Sequence, residues 1–531
     1  MHYVIGSGPA GVACARALAA SGRPVTILDA GHLLEAEREG ARSRLAHRDH
    51  YDAIARERNF GPGAVLQKQG AVPRKLAFGS DYPYRKAPGA ANVAQSTDLC
   101  VEGSYARGGL SNVWGGAILP YRQSDIADWP ISAEDLHPFY NLVAKFLPVA
   151  AEPDDLEHLF PLATELSPPL RCGAQSERFR RALADNKARL NAAGVYFGAS
   201  RLAVDAHGVR GQAPCIYCGQ CLHGCPRELI YTSRHGLSDL CARGGVAYRS
   251  GVVVKSIEER ADSSIIRAVA FDGTPCSFEA KRAFLAAGPL HSTEILLRSL
   301  GLYDHAVHLR DSQYFLFPLL QFTGAKDVSS ERQHTLAQTF MEILDAGLGD
   351  KTVHLQIYAY NDHISRLLDE KLGRLRRYFP GGALLGRLLL VQGYLHSSLS
   401  ATIATSLHAC GKSDELRLNR VENPQTKPKI MRLLSKLAGL SWPMRAFPVA
   451  PLLRIAEAGR GFHFGGSFPM ARDPGPGQTD LLGRPFGFRR LHVVDATVFP
   501  SIAATTITYT AMANAYRIGA RAAFLDEGSL Q

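Results

Sequence analysis

The sequence predicts an α/β fold in which a discontinuous parallel-sheet domain carries an inserted α+β domain built on an antiparallel sheet. Three observations lead there. A strand runs directly into a glycine-rich turn and a helix at the start of the 531-residue chain. A second strand-to-helix junction recurs at Arg282 to Leu300. The tail then returns to strand, acidic turn and helix after a long stretch of different texture. The expected division is 1–135, 200–300 and 461–531 for the first domain, with 136–199 and 301–460 for the second.

The first element is the apolar strand His2-Tyr3-Val4-Ile5, followed by Gly6-Ser7-Gly8-Pro9-Ala10-Gly11 and a helix over Val12 to Ala20. In a G-x-G-x-x-G of this kind the first glycine makes the tight turn and the second lets backbone approach a pyrophosphate. The third lets the helix pack on the strand, and the helix N-terminus faces the phosphate charge. A second strand, Pro24 to Leu28, ends in Asp29, placed to accept hydrogen bonds from a ribose. The segment therefore reads as a Rossmann-type dinucleotide site. The plainer alternatives are an ordinary glycine-rich turn and a solvated acid at a strand end.

Hydrophobic residues make up 46% of the chain and charged ones 21%, an ordinary globular composition. The net charge is +11, but no basic stripe with interleaved aromatics suggests nucleic-acid binding. No apolar run is long enough to span a bilayer. A strand from residue 2 leaves no room for a signal peptide, so the expected location is cytoplasmic. The basic residues concentrate in two leucine-containing stretches, 371–413 and 423–456. Such stretches suit either a core helix with a solvated basic face or peripheral contact with an anionic membrane.

Further along, Glu102 to Gly116 is glycine-rich and suits close backbone approach to a ligand. Asp128-Trp129-Pro130 leads into a helix over Leu136 to Phe146. Strands are expected at Ser250 to Ile257, Ile265 to Phe271 and Arg282 to Ala287, with a helix over Ser292 to Leu300. Val353 to Tyr360 and part of Leu390 to Ile403 alternate, as antiparallel strands with one covered face do. A last strand, Leu491 to Val494, precedes Asp495 and a helix over Thr508 to Asp526.

Five pieces in order resemble the glucose–methanol–choline (GMC) oxidoreductase family of flavoproteins. They are the opening glycine motif, Gly108-Gly109-Leu110-Ser111-Asn112-Val113-Trp114-Gly115-Gly116, Leu285-Ala286-Ala287-Gly288, His463-Phe464-Gly465-Gly466-Ser467 and Val493 to Pro500. The resemblance implies FAD, held by Gly6, Gly8, Gly11 and Asp29, with Gly108, Gly109, Ser111 and Asn112 along the flavin and pyrophosphate and Asp495 completing the site. It also implies a histidine base, here His463, because alcohol oxidation needs a group to take the hydroxyl proton as the hydride leaves. The family's second His or Asn aligns with Thr506. Threonine can orient an oxygen but cannot act as a base at neutral pH, so an altered reaction is the alternative to a lone base.

Cys215, Cys218, Cys221 and Cys225 follow the spacing C-x2-C-x2-C-x3-C-P. This is the bacterial ferredoxin pattern, expected to hold a three- or four-iron sulfur cluster. Zinc is the main rival, and reduced or paired thiols the third. His223 reads as a spacer. The other six cysteines, Cys14, Cys100, Cys172, Cys241, Cys276 and Cys410, read as small buried hydrophobes.

The expected protein is thus an FAD-dependent dehydrogenase oxidising a hydroxyl of an alcohol or sugar-like small molecule. Electrons would pass through the cluster to an acceptor protein or quinone. The alternatives are an oxygen-using alcohol oxidase and a flavoprotein with a lyase or binding role.

Overall fold

The computed structural model describes residues 1–47, 66–67, 74–209, 211–362, 381–411 and 413–525. Strands β1 (His2–Ile5), β2 (Val25–Leu28), β3 (Val246–Arg249), β4 (Arg282–Leu285) and β5 (Leu491–Val493) form one parallel sheet in the order β5-β4-β1-β2-β3. Its central strands are apolar and covered on both faces, as parallel strands usually are. Helix α1 (Pro9–Ala20) follows β1 and starts three residues earlier than expected, because Pro9 fits a first helical turn. Helix α2 (Pro289–Ser299) follows β4, and α3 (Ile507–Ala522) closes the domain. A side chain added at Gly519 would stand 3.0 Å from the carbonyl oxygen of Cys14. That glycine therefore lets α3 lie directly on α1 and joins the two ends of the chain. An antiparallel meander of Val252–Glu259, Ser264–Ala270 and Pro275–Ala280 is attached.

The second sheet is antiparallel. Its order is Ala446–Pro448, Tyr314–Gln321, Leu388–Tyr394, Val353–Tyr358, Thr339–Ile343, Val195–Ala199, with Arg454–Ile455 added beside Tyr314–Gln321. The helix Thr426–Gly439 lays Ile430, Leu433, Leu434 and Leu437 into the core on one face of this sheet. For that helix the plain reading of a core helix with a basic outer face holds. Of the other basic–apolar stretch, residues 371–380 and 412 lie outside the described residues.

The apolar clusters divide the chain differently from the expected boundaries in two places. The helix Ala133–Ala144, capped by a reciprocal Ser132–Asp135 box, buries Leu136, Tyr140 and Val143 in the nucleotide-domain core. Strands Val307–Asp311, Thr402–Cys410 and Ser413–Val421 pair with Phe464–Gly465 and Asn92–Gln95 and pack Leu309, Ile403, Leu407 and Leu416 into that same core. Within 390–403, the strands Leu388–Tyr394 and Thr402–Cys410 flank a short 3₁₀ turn at Ser397–Leu399. Among the described residues no helix is long and apolar enough to cross a membrane.

Candidate active site

One cavity of about 480 Å³ runs from the glycine turn after β1 to the face of the antiparallel sheet. At its first end Gly6 has φ +99°, and a Cβ on Gly11 would stand 2.0 Å from the Gly6 carbonyl oxygen. Turn and helix can meet only because both residues are glycine. Gly8 has open space on its free side, and a Cβ on Gly109 would lie 3.5 Å from the Gly8 Cα. The two glycine-rich segments thus face each other without side chains between them, which fits an extended dinucleotide.

Asp29 ends β2 and is buried. It accepts hydrogen bonds from the Ser7 hydroxyl and from the Tyr248 hydroxyl, the latter at 3.1 Å. Burial pushes its carboxyl up to about 6, against the lowering effect of those two bonds. Ser7 also accepts from the Gly108 N–H at 2.9 Å, tying the two glycine segments together.

The structure places Ser111 and Asn112 in the loop's own framework. The Ser111 hydroxyl donates to the Gly108 carbonyl at 2.5 Å and accepts from the Ser233 N–H at 3.0 Å. The Asn112 amide donates to the carbonyls of Arg107 at 3.0 Å and Gly109 at 2.7 Å. These side chains shape the backbone that faces the cavity. Asp495 acts similarly as a clamp. It accepts from the Gly288 N–H at 2.9 Å, the Ser292 hydroxyl at 2.6 Å and the Thr497 N–H at 3.0 Å, so it ties β5 to the start of α2.

His463 lies at the other end, after Phe462 with φ +57°. Its ring stacks on Tyr394 at 4.9 Å between centroids, and its buried Nδ1 has no hydrogen-bond partner. Burial pushes its pKa down to about 3, with a smaller contribution from His354, so the imidazole is neutral. Thr506 lines the same cavity at the N-cap of α3. Its hydroxyl oxygen accepts from the Leu119 N–H at 2.8 Å, which leaves the hydroxyl proton available to a ligand.

The sequence reading missed the cavity's sheet wall. Leu390, Gln392 and Tyr394, Gln356 and Tyr358, and Tyr314 and Leu316 alternate along three neighbouring strands and all line it. The expectation of one solvated face on Val353 to Tyr360 is corrected, because every residue of Val353–Tyr358 is buried. The polar face covers the cavity instead of meeting water. His291, at the start of α2, was also missed. It is buried at the cavity wall, stacks on Tyr105 at 4.1 Å, and neither ring nitrogen has a hydrogen-bond partner.

The metal expectation for Cys215, Cys218, Cys221 and Cys225 is not met. Among the described residues no group of three or more His, Cys, Asp or Glu is arranged to hold a metal ion, and all four cysteines are free. Cys215, Cys221 and Cys225 rest on one apolar cluster and Cys218 on another. Burial pushes the Cys225 thiol up to about 12, and the neighbouring Cys221 and Cys215 add to the rise. His223 is buried, and its backbone carbonyl accepts from the Phe78 N–H at 2.7 Å. Lys75, whose ammonium donates to the carbonyls of Trp114 at 3.1 Å and Cys221 at 3.3 Å, joins this loop to the cavity. Of the scattered cysteines, Cys14 and Cys100 are buried as expected, while Cys410 is exposed at a strand end.

The parallel sheet, the opposed glycine segments and His463 at the far end share one cavity. Residues 452–515 match the family model of the GMC oxidoreductase C-terminal domain, which indicates an FAD-dependent oxidoreductase. The fold is similar to the crystal structure of pyridoxine 4-oxidase from Mesorbium loti, with a TM-score of 0.60 and 15% identity over 99% of each chain. No curated protein matches the sequence.

Proposed function

We propose that this protein oxidises a hydroxyl group of a small alcohol, with His463 taking the hydroxyl proton. FAD supplies the hydride acceptor when bound. Gly6, Gly8, Gly11, Gly108 and Gly109 would give it backbone to lie on, and Asp29 an acceptor for its ribose. Ser111, Asn112 and Asp495 would hold those segments in place. The His463 imidazole accepts the proton of the substrate oxygen while the carbon gives up its hydride, leaving a carbonyl product and an imidazolium. Thr506 can donate its hydroxyl proton to the same substrate oxygen and orient it. The observation that carries this reading is that His463 lines the same cavity that begins at the glycine turn.

A polyol or a bulky apolar alcohol both suit a wall that mixes Tyr394 and Leu390 with Gln356 and Gln392. The acceptor is the second question. A relay through iron and sulfur to a protein or quinone has no support, since no metal-holding group is found among the described residues. Molecular oxygen is the favoured acceptor, supported by the oxidase named for the similar fold. The test is anaerobic addition of candidate alcohols to the purified, FAD-loaded protein. Bleaching of the flavin band, followed by stoichiometric hydrogen peroxide on admitting air, is expected. Full FAD content with no bleaching by any alcohol would favour a lyase or binding role instead. Bleaching without peroxide would return the acceptor to a protein or quinone.

A further inference from the structure

The sheet wall carries a buried polar chain that the reaction itself does not require. Glu342 and His354 are direct cross-strand partners, both with no exposed side-chain surface. His354 Nδ1 lies 2.6 Å from Glu342 Oε1, and its Nε2 lies 3.2 Å from the Gln356 amide nitrogen. The Tyr358 hydroxyl in turn donates to the Gln356 carbonyl oxygen at 3.1 Å. His354, Gln356 and Tyr358 are alternate residues on one strand, so they share one face.

The direction of each bond follows from the chemistry of the groups. An amide nitrogen can only donate, so His354 Nε2 must accept from Gln356. The histidine proton then sits on Nδ1 and points at Glu342, an acceptor. With the Gln356 nitrogen committed to His354, its carbonyl oxygen turns to Tyr358 and takes the phenolic proton. The chain therefore has one polarity, set at its root by a carboxylate. Its last member, Tyr358, lines the cavity with its proton already spent and only oxygen lone pairs to offer. A Cβ on Gly115, in the glycine-rich segment beside the proposed flavin site, would lie 3.7 Å from the Tyr358 hydroxyl oxygen. The acceptor thus stands beside that glycine-rich segment.

We infer that Tyr358 is a specificity-determining acceptor, so that the substrate is an alcohol carrying a second hydrogen-bond donor, a hydroxyl or N–H, which it presents to the Tyr358 oxygen. Gln356, His354 and Glu342 are positioning residues that fix the acceptor's polarity. A ligand that presents only an acceptor there leaves two lone-pair oxygens facing each other in a buried site, which is strongly disfavoured. The inference rests on the proposed reading of this cavity as the substrate pocket.

The test uses two ligands without an oxidisable alcohol carbon, phenol and its methyl ether anisole, titrated calorimetrically into the FAD-loaded protein. They are matched in shape near the ring, but only phenol can donate. Wild type is expected to bind phenol about 10- to 100-fold more tightly than anisole. Tyr358→Phe should remove the preference. Gln356→Leu, which releases the Tyr358 proton toward the cavity, should narrow or invert it, a change that mere loss of packing would not produce. Equal or undetectable affinity for both ligands in wild type overturns the inference, as does an unchanged preference in either variant. Because nothing turns over, this outcome is separable from the function itself. Failure of every alcohol to reduce the flavin would sink the hydride-transfer reading and leave the ligand ranking standing, and equal binding would do the reverse.

Discussion

The two ends of the cavity hold groups whose protonation is displaced by burial in opposite senses. His463 sits at about 3 and Asp29 at about 6. For His463 the folded value lies below the ordinary 6.5. The unfolded chain therefore binds a proton at pH 6.5 that the folded chain refuses until about 3. Its contribution to stability is complete above 6.5 and is lost as pH falls toward 3. Asp29 runs the other way, since its raised carboxyl costs stability as pH rises through about 6. For the reaction, a neutral imidazole is needed at the start. The rate of flavin reduction, measured by rapid anaerobic mixing, should therefore stay level from pH 8 to pH 5. An imidazole with its ordinary pKa would lose roughly tenfold per unit below about 6.5, and that loss would show that His463 is not held neutral.

At the scale of elements, the contact between α1 and α3 joins the first residues of the chain to the last. Gly519→Val places a branched side chain against the Cys14 backbone, where 3.0 Å separates a Cβ from the carbonyl oxygen. The helices must separate, at about 1–3 kcal/mol. A lower thermal midpoint with reduced FAD content is expected, and an unchanged midpoint would show that the helices are not so closely packed. The elements of the parallel-sheet domain were legible because glycine spacing and apolar runs are local signals. β1, β2 and β5 fall where the sequence puts them, and α1 starts three residues before its expected first residue. The sheet wall was only half legible. Alternation at 353–360 marked a strand, but a polar face looks the same whether it meets water or a buried cavity. What distinguishes them is the distant strands that cover it, and those pairings leave no local trace. Ser111, Asn112 and Asp495 were found as positions, but sequence could not tell backbone-holding side chains from ligand-facing ones.

Across the whole molecule, two features were read from spacing or composition alone. The cysteine run has ferredoxin spacing, yet spacing alone does not decide what the thiols hold; Cys215, Cys221 and Cys225 rest on one apolar cluster and Cys218 on another. The basic stretch 423–456 divides in the fold. Its helix buries an apolar face, but beyond it Trp442 is 79% exposed, Leu452 56% and Phe447 40%. With Lys427, Arg432 and Arg445 nearby in the chain and no acid between Glu422 and Glu457, this edge suits an anionic lipid surface. Co-sedimentation with phosphatidylserine vesicles should exceed that with phosphatidylcholine vesicles and fall in Trp442→Ala. Equal recovery with both lipids would remove the membrane from the account.

The most direct test of the central claim is anaerobic flavin reduction by an accepted alcohol in wild type and in His463→Ala, each at full FAD content. The account predicts that the variant keeps its flavin and its fold but reduces it about 10²- to 10⁴-fold more slowly. Reduction at the wild-type rate would contradict it.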